Sequence, residues 1–240
     1  MIYYQLSPTQ LEEKANELTL KFDAERMTKS KPIDVYDVVE IIGCTPDWAY
    51  ITPDQSYLGL TAYNDGYWWA WPAPYYEKGM LPTKIPVNAG TILIDRTINE
   101  DSNIGLENFT VIHECFHQIL HPRCFKVRSG NYQHFCQQKD FRAEHGKRNS
   151  MTAIEIIEYQ ANYTAAAFLM PKPAVETSFK EHLELTTLPK SPLKSTLKID
   201  SAINKMAMQF SVNYSPMKYR LQTLNLLSRE ASSLNEYLCC

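Results

Sequence analysis

The chain has 240 residues, a formal charge of −3, and the apolar and charged fractions of an ordinary globular protein. It is long enough to bury a real core, as one large domain or one domain with a small appendage, and has no net-charge push toward nucleic acid or anionic membrane. No apolar run approaches the ~20 residues of a membrane span, no signal peptide is visible in MIYYQLSPTQ, and six cysteines without framework spacing indicate a reduced, cytoplasmic protein.

Ser7-Pro8 reads as an N-cap followed by proline at the first helical position. Leu11, Ala15, Leu18 and Phe22 then share one face, predicting an amphipathic helix to about Met27. Asp34 can cap a second helix that carries Val35, Val38, Val39 and Ile42 and stops at Gly43. Both are expected to serve packing. After Cys44 the pattern becomes aromatic. Tyr57–Ala62, the turn Asn64-Asp65-Gly66 and Tyr67–Trp71 predict a β-hairpin, with the Trp68-Trp69-Ala70-Trp71 run packing on the sheet. Pro72, Pro74, Pro82 and Pro86 make the next stretch loop or edge strand, and Gly90–Asp95 reads as a strand.

The polar connection Asn99–Asn103 leads to FTVIHECFHQILH, residues 109–121, which contains His113-Glu114-Cys115-Phe116-His117. Residues four apart on a helix lie on one face, so the two imidazoles can converge on one metal ion. That is the pattern of a zinc hydrolase: two His ligands, and Glu114 as the group that takes a proton from water at the metal's open position. A catalytic zinc normally has three protein ligands. The search for the third leads to the helix 151–171, with Thr152 at its N-cap and Pro171 at its end. Thr152 and Glu155 fit a capping box, which would turn Glu155 back onto its own N-terminus. Glu158 lies one turn further in and is the preferred third ligand. His121, His134, Glu144 and His145 compete with it, but sit at a helix end or in a polar loop. Asn162, one turn beyond Glu158, is placed to support a histidine ligand, and Ala161, Ala165 and Ala166 give the helix a thin face.

The motif around His113–His117, the run Glu158–Pro171 (EYQANYTAAAFLMP), and the strands Leu58–Ala62 and Gly90–Asp95 together resemble the ImmA/IrrE family of metallopeptidases. The resemblance implies a gluzincin-like α+β fold with one Zn2+ per chain held by His113, His117 and Glu158. It also implies a protein substrate, a helix-turn-helix transcriptional repressor. The expected fold is therefore α+β: N-terminal helices, a small twisted and mostly antiparallel sheet, a zincin-type pair of active-site helices, and a helical C-terminal region.

Two segments stand apart from that core. Residues 122–150 form a polar insert with seven Lys or Arg against Asp140 and Glu144, expected to be a solvated loop. Cys124 and Cys136, with His134 or His145, do not make a recognised zinc spacing. Downstream, 174–185 reads as a helix and 186–198 as a linker. Ile203–Leu221 then resembles a helix-turn-helix whose second helix offers only Lys218, Arg220 and Gln222. Packing or protein contact is expected there, with no direct nucleic-acid binding. The domain expectation is 1–185 as the metallopeptidase unit and 195–230 as a small helical segment packed on it. The functional expectation is a zinc endopeptidase without membrane partners, and its rival is a metal-stabilised protein that binds a repressor or DNA without cleaving it. Tyr132 and Tyr163 are the candidates for stabilising an oxyanion.

Overall fold

The computed structural model describes residues 5–125, 133–137 and 152–229. The fold is α+β. Helix α1 (Pro8–Asp23) begins where Ser7 and Gln10 form a reciprocal capping box, then tightens into a 3-10 turn at Ala24–Met27. Asp34 caps α2 (Val35–Ile41) by accepting from the Tyr36 N–H, and Gly43 stops it at φ +75. That left-handed conformation costs glycine nothing.

Five strands precede the helix that carries His113 and His117: β1 (Thr45–Ala49), β2 (Tyr57–Ala62), β3 (Gly66–Ala70), β4 (Thr83–Val87) and β5 (Thr91–Asp95). A sixth, β6 (Gln133–Gln137), comes from the insert expected to be loop. The main sheet has the order β1-β5-β2-β6, and only the β1–β5 pairing is parallel. Strands β3 and β4 form a separate antiparallel ribbon.

The expected hairpin between β2 and the tryptophan strand is therefore not formed. Strand β2 is buried on both faces from Leu58 to Ala62, and it pairs with β5 and β6. Strand β3 alternates between partly buried and exposed side chains, which suits a ribbon with one wet face. The turn residues serve another contact: Asp65 accepts from the Ala89 N–H, and the Gly90 N–H donates to Ala62. Trp68 packs against the small cluster of Ile51, Leu60, Ala62, Val87 and Leu93, whereas Trp69 faces solvent. Pro86 is tolerated because β4 lies in a two-stranded ribbon with a free edge.

Past β5 the chain forms α3 (Arg96–Glu100), which ends inside the expected polar connection Asn99–Asn103, and then α4 (Ile104–Leu120). A short α5 (Pro122–Phe125) follows, and α6 (Ala153–Leu169) resumes after the insert. The last helices are α7 (Lys172–Leu183), α8 (Leu197–Gln209) and α9 (Tyr214–Thr223). The core is layered by β5: Ile92 and Ile94 join the large cluster shared with the helices, and Leu93 joins the small cluster under the ribbon. Met206 of α8, its C-cap Phe210, and Met217 and Leu221 of α9 belong to the large cluster as well. Among the described residues no helix is long and apolar enough to cross a membrane.

The end of α6 is held from two sides. Helix C-termini leave carbonyls without intrahelical partners, and here two buried arginines take them. Arg26 Nη2 donates to the Leu169 carbonyl at 2.9 Å, and Arg220 Nε donates to the Met170 carbonyl at 2.9 Å. Arg220 also makes a two-pronged ion pair with Glu12, at 2.5 and 3.0 Å. Helices α1, α6 and α9 are thereby tied at one point. Of the three α9 side chains that could read DNA, Arg220 is turned inward and fully buried.

Candidate metal centre

Helix α4 supplies the first half of the centre. Asn103 caps it by accepting from the Leu106 N–H, and every residue from Asn108 to His117 is buried. Burial on all sides follows from its position, packed against β2 and β5 on one flank and α2 and α6 on the others. A helix so enclosed reads as uniformly apolar, and its few polar side chains must find partners inside.

Helix α6 supplies the second half. Thr152 accepts from the Glu155 N–H while the Glu155 carboxylate accepts from the Thr152 N–H, as the capping-box spacing predicts. Those hydrogen bonds to Thr152 hold the Glu155 carboxyl below its usual range. Glu155 is thus committed to its own helix end. Glu158, one turn on, is buried, and the fully buried Ala161, Ala165 and Ala166 leave this helix thin where it packs among its neighbours.

The three expected donors converge. His113 Nε2 lies 2.8 Å from His117 Nε2, and Glu158 Oε2 and Oε1 lie 3.2 and 3.4 Å from these two nitrogens. Burial alone would drive His113 toward its neutral form. The hydrogen bond and charge of Glu158, with the charge of Glu114 and the neighbouring Asn162, outweigh it and push its pKa up. Two imidazole nitrogens and a carboxylate in a dry interior require a positive charge among them, a proton or a cation. This buried group could hold a metal ion, and two His with one carboxylate is a donor set of catalytic metal centres.

Glu114 does not join that cluster but faces β2. The Thr61 hydroxyl donates to Glu114 Oε2 at 2.5 Å, and its oxygen lies 3.2 Å from the Glu114 carbonyl. The carboxylate rests on the backbone of Gly59, where an added Cβ would come within 2.6 Å of Glu114 Oε1. The Tyr63 hydroxyl donates to the His117 carbonyl at 3.0 Å, and burial together with the charges of Glu114 and Glu158 drives its pKa up. Burial does the same to the Cys115 thiol, which leaves it inert beside the motif.

Of the competing ligands, His121 is buried with its Nδ1 3.0 Å from His117 Nδ1 and its Nε2 3.2 Å from Gln160 Oε1. It stands behind His117, away from the convergence of donor atoms. His134 and Cys136 fall on β6, of which only the backbone is described, and Glu144, His145 and Tyr132 lie outside the described residues. Tyr163 does not face the centre, since its hydroxyl donates to Glu12 at 3.3 Å. Sequence reasoning missed Gly59, Thr61, Tyr63 and Gln160. The signal for the first two was present in Leu58–Ala62, where a glycine and a threonine interrupt an apolar strand. No family model matches the chain, and no curated protein matches it.

Proposed function

We propose that this protein is a zinc-dependent endopeptidase that hydrolyses a peptide bond in a protein substrate. The observation that carries the reading is the convergence of His113, His117 and Glu158, with Glu114 on the next helical position and held by Thr61. A site that served only to stabilise the fold would have no use for a second carboxylate braced separately from its ligands. A bound zinc would act as a Lewis acid, polarising the scissile carbonyl and making the attacking water more acidic.

His113, His117 and Glu158 would hold the metal. Glu114 would accept a proton from the attacking water and deliver it to the leaving amine. The Thr61 hydroxyl limits the directions its carboxylate can take, so the acceptor oxygen is oriented before substrate arrives. A repressor of the helix-turn-helix class as the substrate rests on the family resemblance of the two helix motifs. The rival reading is a metal-stabilised protein that binds a repressor or DNA without cleaving it, and its DNA half loses support because Arg220 is spent on Glu12 and the Met170 carbonyl.

The test is Glu114→Gln. The variant should keep its zinc and its melting temperature while cleavage falls by about 100-fold or more, the weight general acid–base groups usually carry. Mass spectrometry of a co-expressed repressor would read the cleavage. A variant that cuts at the wild-type rate would sink the proposal.

A further inference from the structure

One contact of α4 is not explained by the three donors. His117 presents Nε2 to the cluster, and its other ring nitrogen meets a second buried histidine, His121, at 3.0 Å between the two Nδ1 atoms. Two imidazole nitrogens at that distance must share one hydrogen, and which ring carries it decides what His117 can do. If His117 carries it on Nδ1, its Nε2 keeps a lone pair for the cluster. If His121 carries it, a neutral His117 has its hydrogen on Nε2 and cannot ligate there.

The choice is made one residue further on. His121 Nε2 lies 3.2 Å from Gln160 Oε1, an atom that can only accept. His121 must therefore donate through Nε2, which leaves Nδ1 of the neutral ring as an acceptor. His117 Nδ1–H then donates to it. Gln160 is itself held: it lies in α6 two residues after Glu158, its backbone carbonyl accepts from the Thr164 hydroxyl at 2.7 Å, and its side chain is buried.

Resting on the metal-centre reading above, we infer that His121 is a positioning residue for His117, and that Gln160 sets the tautomer of His121 from the opposite helix. The path Gln160–His121–His117 crosses from α6 to α4, the same two helices that Glu158 and His113 bridge at the donors. Helix α4 thus contributes His113 and His117 to the cluster and α6 contributes Glu158, while His121 and Gln160 supply the support behind them. Spacing reinforces the point: His113 and His117 fall on successive turns of α4 and His121 follows four residues on as its C-cap, so the third histidine backs the second. A tautomer held from behind keeps the lone pair on Nε2 before a cation arrives, which removes a rearrangement from the binding step.

The experiment compares two pairs of variants in the full-length protein. Zinc affinity is measured on metal-free, folded protein by competition with a chromophoric chelator, and the visible absorption bands of the cobalt(II)-loaded protein give a second readout. His121→Phe keeps a ring but loses both nitrogens, and should bind zinc about 10–100-fold more weakly with shifted cobalt bands. His121→Asn places an amide oxygen near the position of Nδ1 and should recover most of that loss. Gln160→Glu, which keeps an acceptor, should hold wild-type affinity or exceed it, whereas Gln160→Met should fall with His121→Phe. Wild-type affinity and unchanged bands in His121→Phe and Gln160→Met would overturn the inference. So would losses that fail to separate Asn from Phe, or Glu from Met, since a purely structural role predicts that pattern. If His121→Phe does not fold, the Gln160 pair decides alone. Folded wild-type protein that binds no zinc would remove the metal centre itself, and this inference with it.

Discussion

The Thr61 hydroxyl donates to Glu114 Oε2 at 2.5 Å, joining the C-terminal end of β2 to a residue between the two histidines of α4. Helix and sheet are thereby registered to each other by the group that would take the proton. Thr61→Val keeps the branched shape and removes only the hydroxyl. Zinc content should be unchanged while turnover falls by about 10–100-fold, the kinetic equivalent of the ~1.5–3 kcal/mol that a hydrogen bond to a charged group carries. Wild-type turnover in that variant would mean that Glu114 needs no such brace.

Gly59 tests the same interface by crowding it. Its missing side chain is the space Glu114 occupies: an added Cβ would lie 2.6 Å from Oε1, 2.9 Å from Cγ and 3.0 Å from Thr110 Cγ2. Gly59→Ala should cost about 1–3 kcal/mol in denaturant unfolding, as overpacked cores do. Its activity should fall further than that of Thr61→Val, because the carboxylate must move. Gly43 is the contrast, with φ +75 and open space around it. Gly43→Ala should lose stability and keep activity.

Glu155 and Glu158 should differ in kind. Glu155 is an exposed cap whose partners are the Thr152 backbone and hydroxyl, so Glu155→Ala should lower the melting temperature slightly with zinc still bound. Glu158→Ala removes a donor from the buried group and should lose the metal and the activity together. Asn162→Ala, beside His113, should weaken zinc by about 10–100-fold. Zinc content and chelator competition on the three proteins check the order, and metal loss in Glu155→Ala with retention in Glu158→Ala would reverse the assignment.

Arg220 predicts how the chain unfolds. Arg220→Met leaves Glu12 partly buried without its cation and strips the Met170 carbonyl of its donor. The expected loss is about 3–5 kcal/mol, the cost of halving a buried ion pair. Because Arg220 ties α9 to α1 and α6, the loss should appear in a single cooperative transition. A separate early transition confined to the C-terminal helices would contradict this.

Metal removal gives a further measurement. A cation that binds only the folded state stabilises it by mass action, about 2.7 kcal/mol when free metal stands at 100 times its dissociation constant. Adding a chelator should therefore lower the melting temperature, and zinc should restore it. The His113→Ala variant should not respond to either addition.

Local chemistry was legible without the fold. The caps at Ser7, Asp34 and Thr152, and the return of Glu155 onto its own N-terminus, depend on residues within three or four positions of each other. The spacing of His113 and His117 is likewise a property of one helix. So is the separation of Glu155 from Glu158, once the cap is recognised. Each was determined by the sequence because helix geometry converts spacing into direction.

Pairing between distant segments was decided by the tertiary structure. The turn Asn64–Gly66 suited a hairpin, yet β2 went to the centre of the main sheet, where both of its faces could be buried, and β3 took β4 instead. Competition for partners is a matter of total burial, and no local signal encodes it. The same holds for the groups around α4. Thr61 meets Glu114 across 53 positions and Gln160 meets His121 across 39, and Arg220 reaches Glu12 across 208. Sequence determined which side chains could do chemistry on α4 and α6. Only the packing of β2, α1 and α9 around those helices decided which other residues would hold them in place, because a hydrogen bond between remote segments exists only after the core has brought them together.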